Sequence, residues 1–265
     1  MTGERAGRGW GVSGIQRILP SLACHPNTLT FASLALLLRI ALCSLWMKVT
    51  GMILPKEIAE TDRIVFLHIP KTAGNSVAYS FSEMFGRSNI GWLGVDFTID
   101  DLLRGRNLEA YRVIGGHFSK TQAGNLPFPA IYISTVREPV DRAVSYYQHI
   151  LNTPGLAEQS DVTGNLEEDL LGSFGNLITN QQSRFLNYSG GALMENERLA
   201  VCQVNDTPIM LKTIACKLNK ASHDLPVLNK RIGARLPIGA ETKLKILQLT
   251  QQDTELYEAA GMQLR

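Results

Sequence analysis

The chain lacks several features that would place it in a class at once. Its 265 residues include only four cysteines, and none of these are closely spaced. The sequence also has no cluster of His, Cys and Asp residues at metal-ligand spacing, so no metal site is expected. Internal repeats and low-complexity tracts are also absent. The net charge is only +2, which argues against nucleic-acid binding. With 45% hydrophobic residues, the chain can bury one full core and one small accessory subdomain.

The N-terminal region differs in charge from the rest. Residues 1–55 hold five basic residues and one acidic residue, whereas residues 56–265 hold 21 basic and 23 acidic residues. Leu29 to Met47 is apolar apart from Thr30, Ser33, Arg39 and Ser44. Two interpretations are open. Either residues 1–50 are dispensable and the domain is cytoplasmic, or 29–47 is a single-pass anchor with residues 56–265 on the non-cytoplasmic side.

The segment from Arg63 to Val77 (RIVFLHIPKTAGNSV) predicts an anion site. Its apolar start reads as a buried strand, and Pro70 ends the strand because proline lacks an N–H to donate. A helix follows to Phe85, with Asn75 or Ser76 as its cap. A strand, a short loop and a helix N-terminus together bring free N–H groups and a favourable dipole to one place. Lys71, Thr72 and Ser76 add a charge and hydroxyl donors.

This segment is not a nucleoside triphosphate P-loop. The Walker pattern needs an upstream glycine and then Gly-Lys-Ser/Thr, whereas here Lys71 precedes Gly74. An ordinary turn with a solvent-facing lysine is the structural alternative.

A second strand-to-helix junction spans Ala130 to His149 (AIYISTVREPVDRAVSYYQH). Pro139 sits where a helix begins, a position that tolerates a missing N–H. Arg137 leaves the strand end and Ser145 lies in the helix, so both are expected to reach one phosphate.

Together the two segments resemble the carbohydrate sulfotransferases that use 3′-phosphoadenosine 5′-phosphosulfate, the branch with the heparan sulfate and uronyl 2-O-sulfotransferases and their bacterial relatives. The resemblance implies that the first loop binds the 5′-phosphosulfate and the second junction binds the 3′-phosphate. The implied nucleotide-binding residues are Lys71, Thr72, Ala73, Gly74, Asn75, Ser76, Arg137 and Ser145. It also implies a P-loop-like α/β fold with a mainly parallel central sheet flanked by helices, formed by residues 56–265.

Between the junctions, Tyr111 to Ser119 (YRVIGGHFS) places His117 after two glycines. The glycines are expected to let a bulky acceptor approach the backbone. The resemblance implies that His117 is the catalytic base, acting with Lys71. The related animal enzymes carry a second histidine two residues earlier, where this chain has Gly115.

Sulfuryl transfer, like phosphoryl transfer, needs donor and acceptor held in line and the developing charge stabilised. A neutral His117 would take the proton of the acceptor hydroxyl. No metal is required. The acceptor is expected to be a glycan or another hydroxyl-bearing molecule, neutral or lightly charged, because residues 56–265 show no basic excess.

Two further segments resemble the family. Lys230, Arg231 and Arg235 occupy the place of a basic loop that closes over the nucleotide, although most basic runs are solvated faces. Arg184, in Asn176 to Leu186, is expected either to contact substrate or to anchor a helix end. The stretch 187–215 departs from the family pattern, which leaves two alternatives: either the sheet is one strand short, or the segment is rebuilt.

Two other functions remain open: a catalytically impaired relative that binds the nucleotide without turnover, and a P-loop nucleotide or small-molecule kinase. The missing Walker pattern and the absence of an aspartate for magnesium count against the kinase.

Overall fold

A computed structural model describes residues 58–190, 198–221 and 236–262. Its strands are β1 (Arg63–Leu67), β2 (Ile90–Trp92), β3 (Val113–Gly116), β4 (Ala130–Val136) and β5 (Leu199–Gln203). Its α-helices are α1 (Gly74–Phe85), α2 (Ile99–Arg104), α3 (Pro139–Asn152), α4 (Leu156–Gln159), α5 (Leu166–Asp169), α6 (Ser173–Ile178), α7 (Gln181–Leu186), α8 (Thr207–Lys217), α9 (Ala240–Leu249) and α10 (Gln251–Met262). Short 3-10 helices span Arg87–Asn89, Gln122–Asn125 and Val204–Asp206.

The five strands form one sheet in the order β2-β3-β1-β4-β5. Every pairing is parallel, with Leu67 of β1 opposite Gly116 of β3 and Phe66 opposite Ile133 of β4. The expected parallel α/β fold is therefore confirmed. Because all strands run the same way, their carboxyl ends lie along one edge, where ligands of such sheets bind.

Helices cover both faces of the sheet. Side chains of β1 alternate between two cores: Phe66 packs with residues of α1 and α8, whereas Val65 and Leu67 pack with residues of α2 and α10. A third cluster lies among α3, α5, α6 and α9. A strand buried on both faces reads as a continuous apolar run, and this explains the composition of Ile64 to Leu67.

Helix α1 begins earlier than the sequence predicted. Its N-cap is Ala73, in the left-handed conformation at φ 68°, and no side chain caps it. Asn75 and Ser76 lie inside the first turn, so the expected capping by either residue is wrong. The reason is a tight loop, in which Lys71 also adopts a positive φ of 71°, so that the chain reaches helical geometry sooner.

The stretch 187–215 contributes a strand to the sheet. β5 lies within it, pairs with β4, and leads into α8. The alternative of a sheet that is one strand short is therefore wrong, and the alternative of a rebuilt segment remains.

The apolar residues of 240–260 predict a single final helix, but the structure has two helices there, α9 and α10. Asn180 inserts at the break: its amide donates to the Leu249 carbonyl and its Oδ1 accepts from the Gln252 amide, at 3.2 and 3.0 Å. A residue from a distant segment therefore divides the helix. No helix among the described residues is long and apolar enough to cross a membrane, and the 29–47 segment lies outside those residues.

Candidate functional site

Three neighbouring strands carry predicted site residues to one edge of the sheet. His117 directly follows β3, Lys71 comes four residues after β1, and Arg137 directly follows β4. Since β3, β1 and β4 are adjacent and parallel, the turns that leave them share the same edge. The sheet order thus brings together residues from three separate stretches of sequence.

The turns after β1 and β4 are in contact. The Arg137 guanidinium approaches the Lys71 carbonyl, with Nη1 3.5 Å from the oxygen. The Thr135 hydroxyl donates to the Thr72 carbonyl at 2.6 Å. The two loops expected to bind opposite ends of one nucleotide therefore lie side by side.

Thr72 supports the loop from within. Its side chain is fully buried, and its hydroxyl donates to the Ile69 carbonyl at 2.8 Å. The residue presents no surface to a ligand in this conformation. Its hydroxyl helps to hold the turn in shape, and its predicted part in nucleotide binding stays a prediction.

The rest of the loop surrounds an uncapped helix N-terminus. Lys71 and Ala73 are half-buried and left-handed, a conformation that costs about 1–3 kcal/mol for a non-glycine residue and is concentrated at ligand sites. Asn75 is exposed in the first turn of α1, while Gly74 and Ser76 are buried there. Such a turn followed by helix amides is a cradle for an anion.

Arg137 is held by a side chain that the sequence did not reveal. Gln182 of α7 brackets its backbone: Oε1 accepts from the Arg137 amide and Nε2 donates to the Arg137 carbonyl, both at 2.9 Å. The buried carboxylate of Asp253 in turn accepts from the Gln182 and Ser183 amides at 3.1 and 2.8 Å. Asp253 lies in the polar first turn of α10 (QQDT), and no signal in the sequence marks it for this role.

His117 has the geometry of a proton acceptor. Its Nδ1 lies 2.8 Å from the His68 carbonyl. A carbonyl only accepts, so Nδ1 carries the proton and Nε2 keeps its lone pair. Burial lowers the pKa of His117, and the bond to the His68 carbonyl partly opposes this. The imidazole is therefore neutral at pH 7.

The two glycines before His117 were predicted to let an acceptor approach the backbone. That prediction is wrong. A Cβ at Gly115 would lie 2.3 Å from the Trp92 ring, and one at Gly116 would lie 2.5 Å from the Leu93 Cβ. Both residues are buried against the neighbouring strand. They are small because side chains of the β2 region fill the space beside them.

Two further histidines belong to the site. His68 is buried beneath the loop and stacks on His117, with ring centroids 4.2 Å apart. His149 is exposed on α3, where burial and then the charges of Lys71 and His117 lower its pKa. Sequence reasoning assigned neither residue, although both lie within the motifs that carried the resemblance.

Ser145 is half-buried and precedes His149 by four residues, so both lie on one face of α3. The charge of Lys71 lowers the pKa of His149, so His149 lies near the Lys71 turn. Lys230, Arg231 and Arg235 lie outside the described residues, and their predicted contact with a nucleotide stays a prediction.

Arg184 anchors a helix end and also lines a cleft. Its Nη2 donates to the Leu177 carbonyl at 3.2 Å, near the carboxyl end of α6. The cleft has a volume of about 660 Å³. Ser119, two residues beyond His117, is one of its lining residues. Most of the lining residues have polar side chains, and Gln159, Ser160, Asp161, Ser173, Asn176, Leu177, Gln181 and Phe185 complete the lining. Within the described residues, no group of three or more His, Cys, Asp or Glu could hold a metal.

Comparison with known proteins assigns no family. No protein-family model matches the chain, and no curated protein matches it. Among solved structures, it is similar to the crystal structure of mouse sulfotransferase SULT7A1 complexed with PAP, at 16% sequence identity and a TM-score of 0.38. The similarity covers 74% of this chain and 66% of that one. A likeness at that identity and TM-score assigns no function to this chain.

Proposed function

We propose that this protein transfers a sulfuryl group from 3′-phosphoadenosine 5′-phosphosulfate to a hydroxyl group of a carbohydrate, with His117 as the base. The observation that carries the proposal is the junction at the carboxyl edge of the sheet. There the Lys71 turn contacts Arg137, and a neutral imidazole with a free Nε2 follows the adjacent strand. Anion-binding groups and a proton acceptor thus meet at one place.

The residues suit a nucleotide with phosphate at both ends. Lys71 and the first amides of α1 would bind the 5′ end, because they combine a full charge with helix-terminus donors. Arg137 and Ser145 would bind the 3′-phosphate, the arginine through its planar fork. When bound, the nucleotide would supply an activated sulfuryl group.

The chain's own part in the reaction is binding, orientation and one proton transfer. His117 Nε2 would accept the proton of the acceptor hydroxyl as its oxygen bonds to sulfur. Lys71 would stabilise the negative charge that builds on the departing phosphate oxygen. A carbohydrate acceptor is supported by the cleft beside Ser119, since amides, hydroxyls and one aromatic ring suit a polyhydroxylated molecule.

Titration calorimetry with adenosine 3′,5′-bisphosphate and with ATP tests the nucleotide. We expect the bisphosphate to bind more tightly, and Arg137→Ala to weaken it about 10–100-fold through loss of a charged hydrogen bond. Arg104→Ala is the matched control, because this exposed arginine lies on α2, where it pairs with Asp100 of the same helix. Tight ATP binding without a response to the bisphosphate would instead support a kinase.

Sulfate transfer to a panel of glycans tests the chemistry. We expect His117→Ala to lower kcat by about 10²–10⁴-fold while bisphosphate affinity stays close to that of the unchanged protein. Lys71→Ala should lower turnover more than affinity. Nucleotide binding without transfer to any glycan would support the impaired relative.

A further inference from the structure

Four aromatic rings form a column beneath the loop after β1, comprising Phe66, His68, Trp92 and His117. His68 lies at its centre. Its ring stacks on Phe66 with centroids 5.6 Å apart and lies 5.7 Å from Trp92. On its other side it stacks on His117 at 4.2 Å and an interplanar angle of 27°. The column starts in the hydrophobic core and ends at the exposed imidazole of the site.

Two glycines make room for this column. A Cβ at Gly74 would lie 1.9 Å from His68 Nε2, and a Cβ at Gly115 would lie 2.3 Å from the Trp92 ring. Neither contact is possible for a real side chain. Both glycines therefore allow rings to pack against backbone, at the start of α1 and in β3.

His117 is held by a single residue in two ways. The His68 carbonyl accepts from Nδ1, which fixes the tautomer, and the His68 ring covers one face of the imidazole, which fixes the ring plane. We propose that His68 is a positioning residue for His117, whose ring fixes the orientation of the base and shields one of its faces from water. This inference rests on the proposed function only in naming His117 as the base.

The charges around the column agree with this role. Burial, then His117 and Lys71, lower the pKa of His68 to about 3, so its ring is neutral at pH 7. The charges of His117 and Lys71 act on His68, and the same two charges act on His149. A charged ring at position 68 would repel both Lys71 and a protonated His117. A neutral stacking partner does not.

Nuclear magnetic resonance of the histidine side chains tests the proposal without any substrate. Long-range ¹H–¹⁵N spectra report the tautomer of each imidazole, and a pH titration reports its pKa. Spectra of His117→Ala and His149→Ala assign the signals. In the unchanged protein we expect His117 as the Nδ1–H tautomer with a pKa below 6.5.

The variants compared are His68→Phe, which retains an aromatic face, and His68→Ala, which removes it. We expect His68→Phe to keep the lowered pKa of His117 and His68→Ala to raise it toward 6.5, while the tautomer stays Nδ1–H in both because the backbone carbonyl that accepts from Nδ1 is retained. If His68→Ala fails to unfold cooperatively, Trp92→Leu loosens the same column and should shift His117 in the same direction. An unchanged His117 titration in a folded His68→Ala or Trp92→Leu variant would overturn the proposal. Failure of glycan sulfation alone would not affect it.

Discussion

At Gly74, one added methyl group would prevent the loop after β1 from packing against the His68 ring. The methyl of Gly74→Ala would lie 1.9 Å from Nε2 of a ring packed between Phe66 and His117. The ring cannot move aside without breaking the stack. We expect Gly74→Ala to lower the free energy of unfolding by about 1–3 kcal/mol, the usual effect of overpacking. Urea denaturation measures this change.

Gly124→Ala is the matched control, because no atom lies within 4 Å of a Cβ there. It should leave stability within about 0.5 kcal/mol. The clash also predicts a coupling: once His68→Ala has removed the ring, adding Gly74→Ala should cost nothing further. A full additional loss in the double variant would show that Gly74 is needed for another reason.

At this scale the sequence indicated which residues come together but not how the site packs. Lys71 and Arg137 were predicted from their residue types and the local turns, and His117 from the family resemblance; the sheet order brings their three turns to one edge, and their roles stay predictions. Gly115 was misinterpreted because the ring that fills its space, Trp92, belongs to a strand more than 20 residues away. A local pattern does not record which distant side chain packs against a glycine.

At the scale of elements, the position of Arg137 depends on α7 and α10. The Asp253 carboxylate caps the start of α7 by accepting two amides, and Gln182 at that start brackets Arg137. Nearby, the fully buried Arg142 donates to Gln181 at 2.6 Å. Burial lowers the pKa of Arg142 to about 10, and the charge of Asp253 opposes that shift. Three elements thus share one buried polar network.

We expect Asp253→Ala to destabilise the protein by about 2–5 kcal/mol, because two buried amides lose their acceptor and Arg142 loses a compensating charge. Bisphosphate affinity should fall as well, since Gln182 no longer holds Arg137 in place. Glu258→Ala, at an exposed position of the same helix, is the control. Urea denaturation and calorimetry measure the two effects, and a stable variant with unchanged affinity would contradict the prediction.

The sequence predicted the elements where the local signal was strong. β4 spans Ala130–Val136 as predicted, and α3 starts at Pro139. The division between α9 and α10 was missed because Asn180 inserts there from a distant segment. β5 was missed because its five residues, LAVCQ, were judged against a family pattern instead of by their own apolar character.

For the whole molecule, parallel strands and sheet order explain how the site assembles. Sequence reasoning predicted neither the order of the strands nor their register. In the structure β1 lies at the centre of the sheet, and this puts Lys71 between the turns that carry His117 and Arg137. Sequence reasoning reached the parallel sheet through the family resemblance carried by two strand-to-helix junctions, and ligands of such sheets bind at the carboxyl edge. It could not show that His68, in the same motif as Lys71, turns inward to form the core of the aromatic column.

The buried neutral His68 also links global stability to pH. Its pKa is lowered from 6.5 in the unfolded chain to about 3 in the folded protein, so below pH 6.5 the unfolded state binds the extra proton. The stabilising contribution of this group is complete above pH 6.5 and is lost progressively as the pH falls toward 3. The slope is about 1.4 kcal/mol per pH unit. Acid should therefore weaken the fold well before most carboxylates titrate.

His68→Phe isolates this effect, because it removes the titrating group and keeps an aromatic ring in the column. From pH 7 to pH 5, the unchanged protein should lose about 2 kcal/mol more unfolding free energy than the variant. The lowered pKa values of His117 and His149 act in the same direction in both proteins and cancel in the comparison. Urea denaturation at pH 7, 6 and 5 gives the two curves. Parallel curves would mean that His68 takes up its proton in the folded state. The ring that packs on Gly74 and His117 would then carry a charge. In that case the column would not be the neutral stack described above.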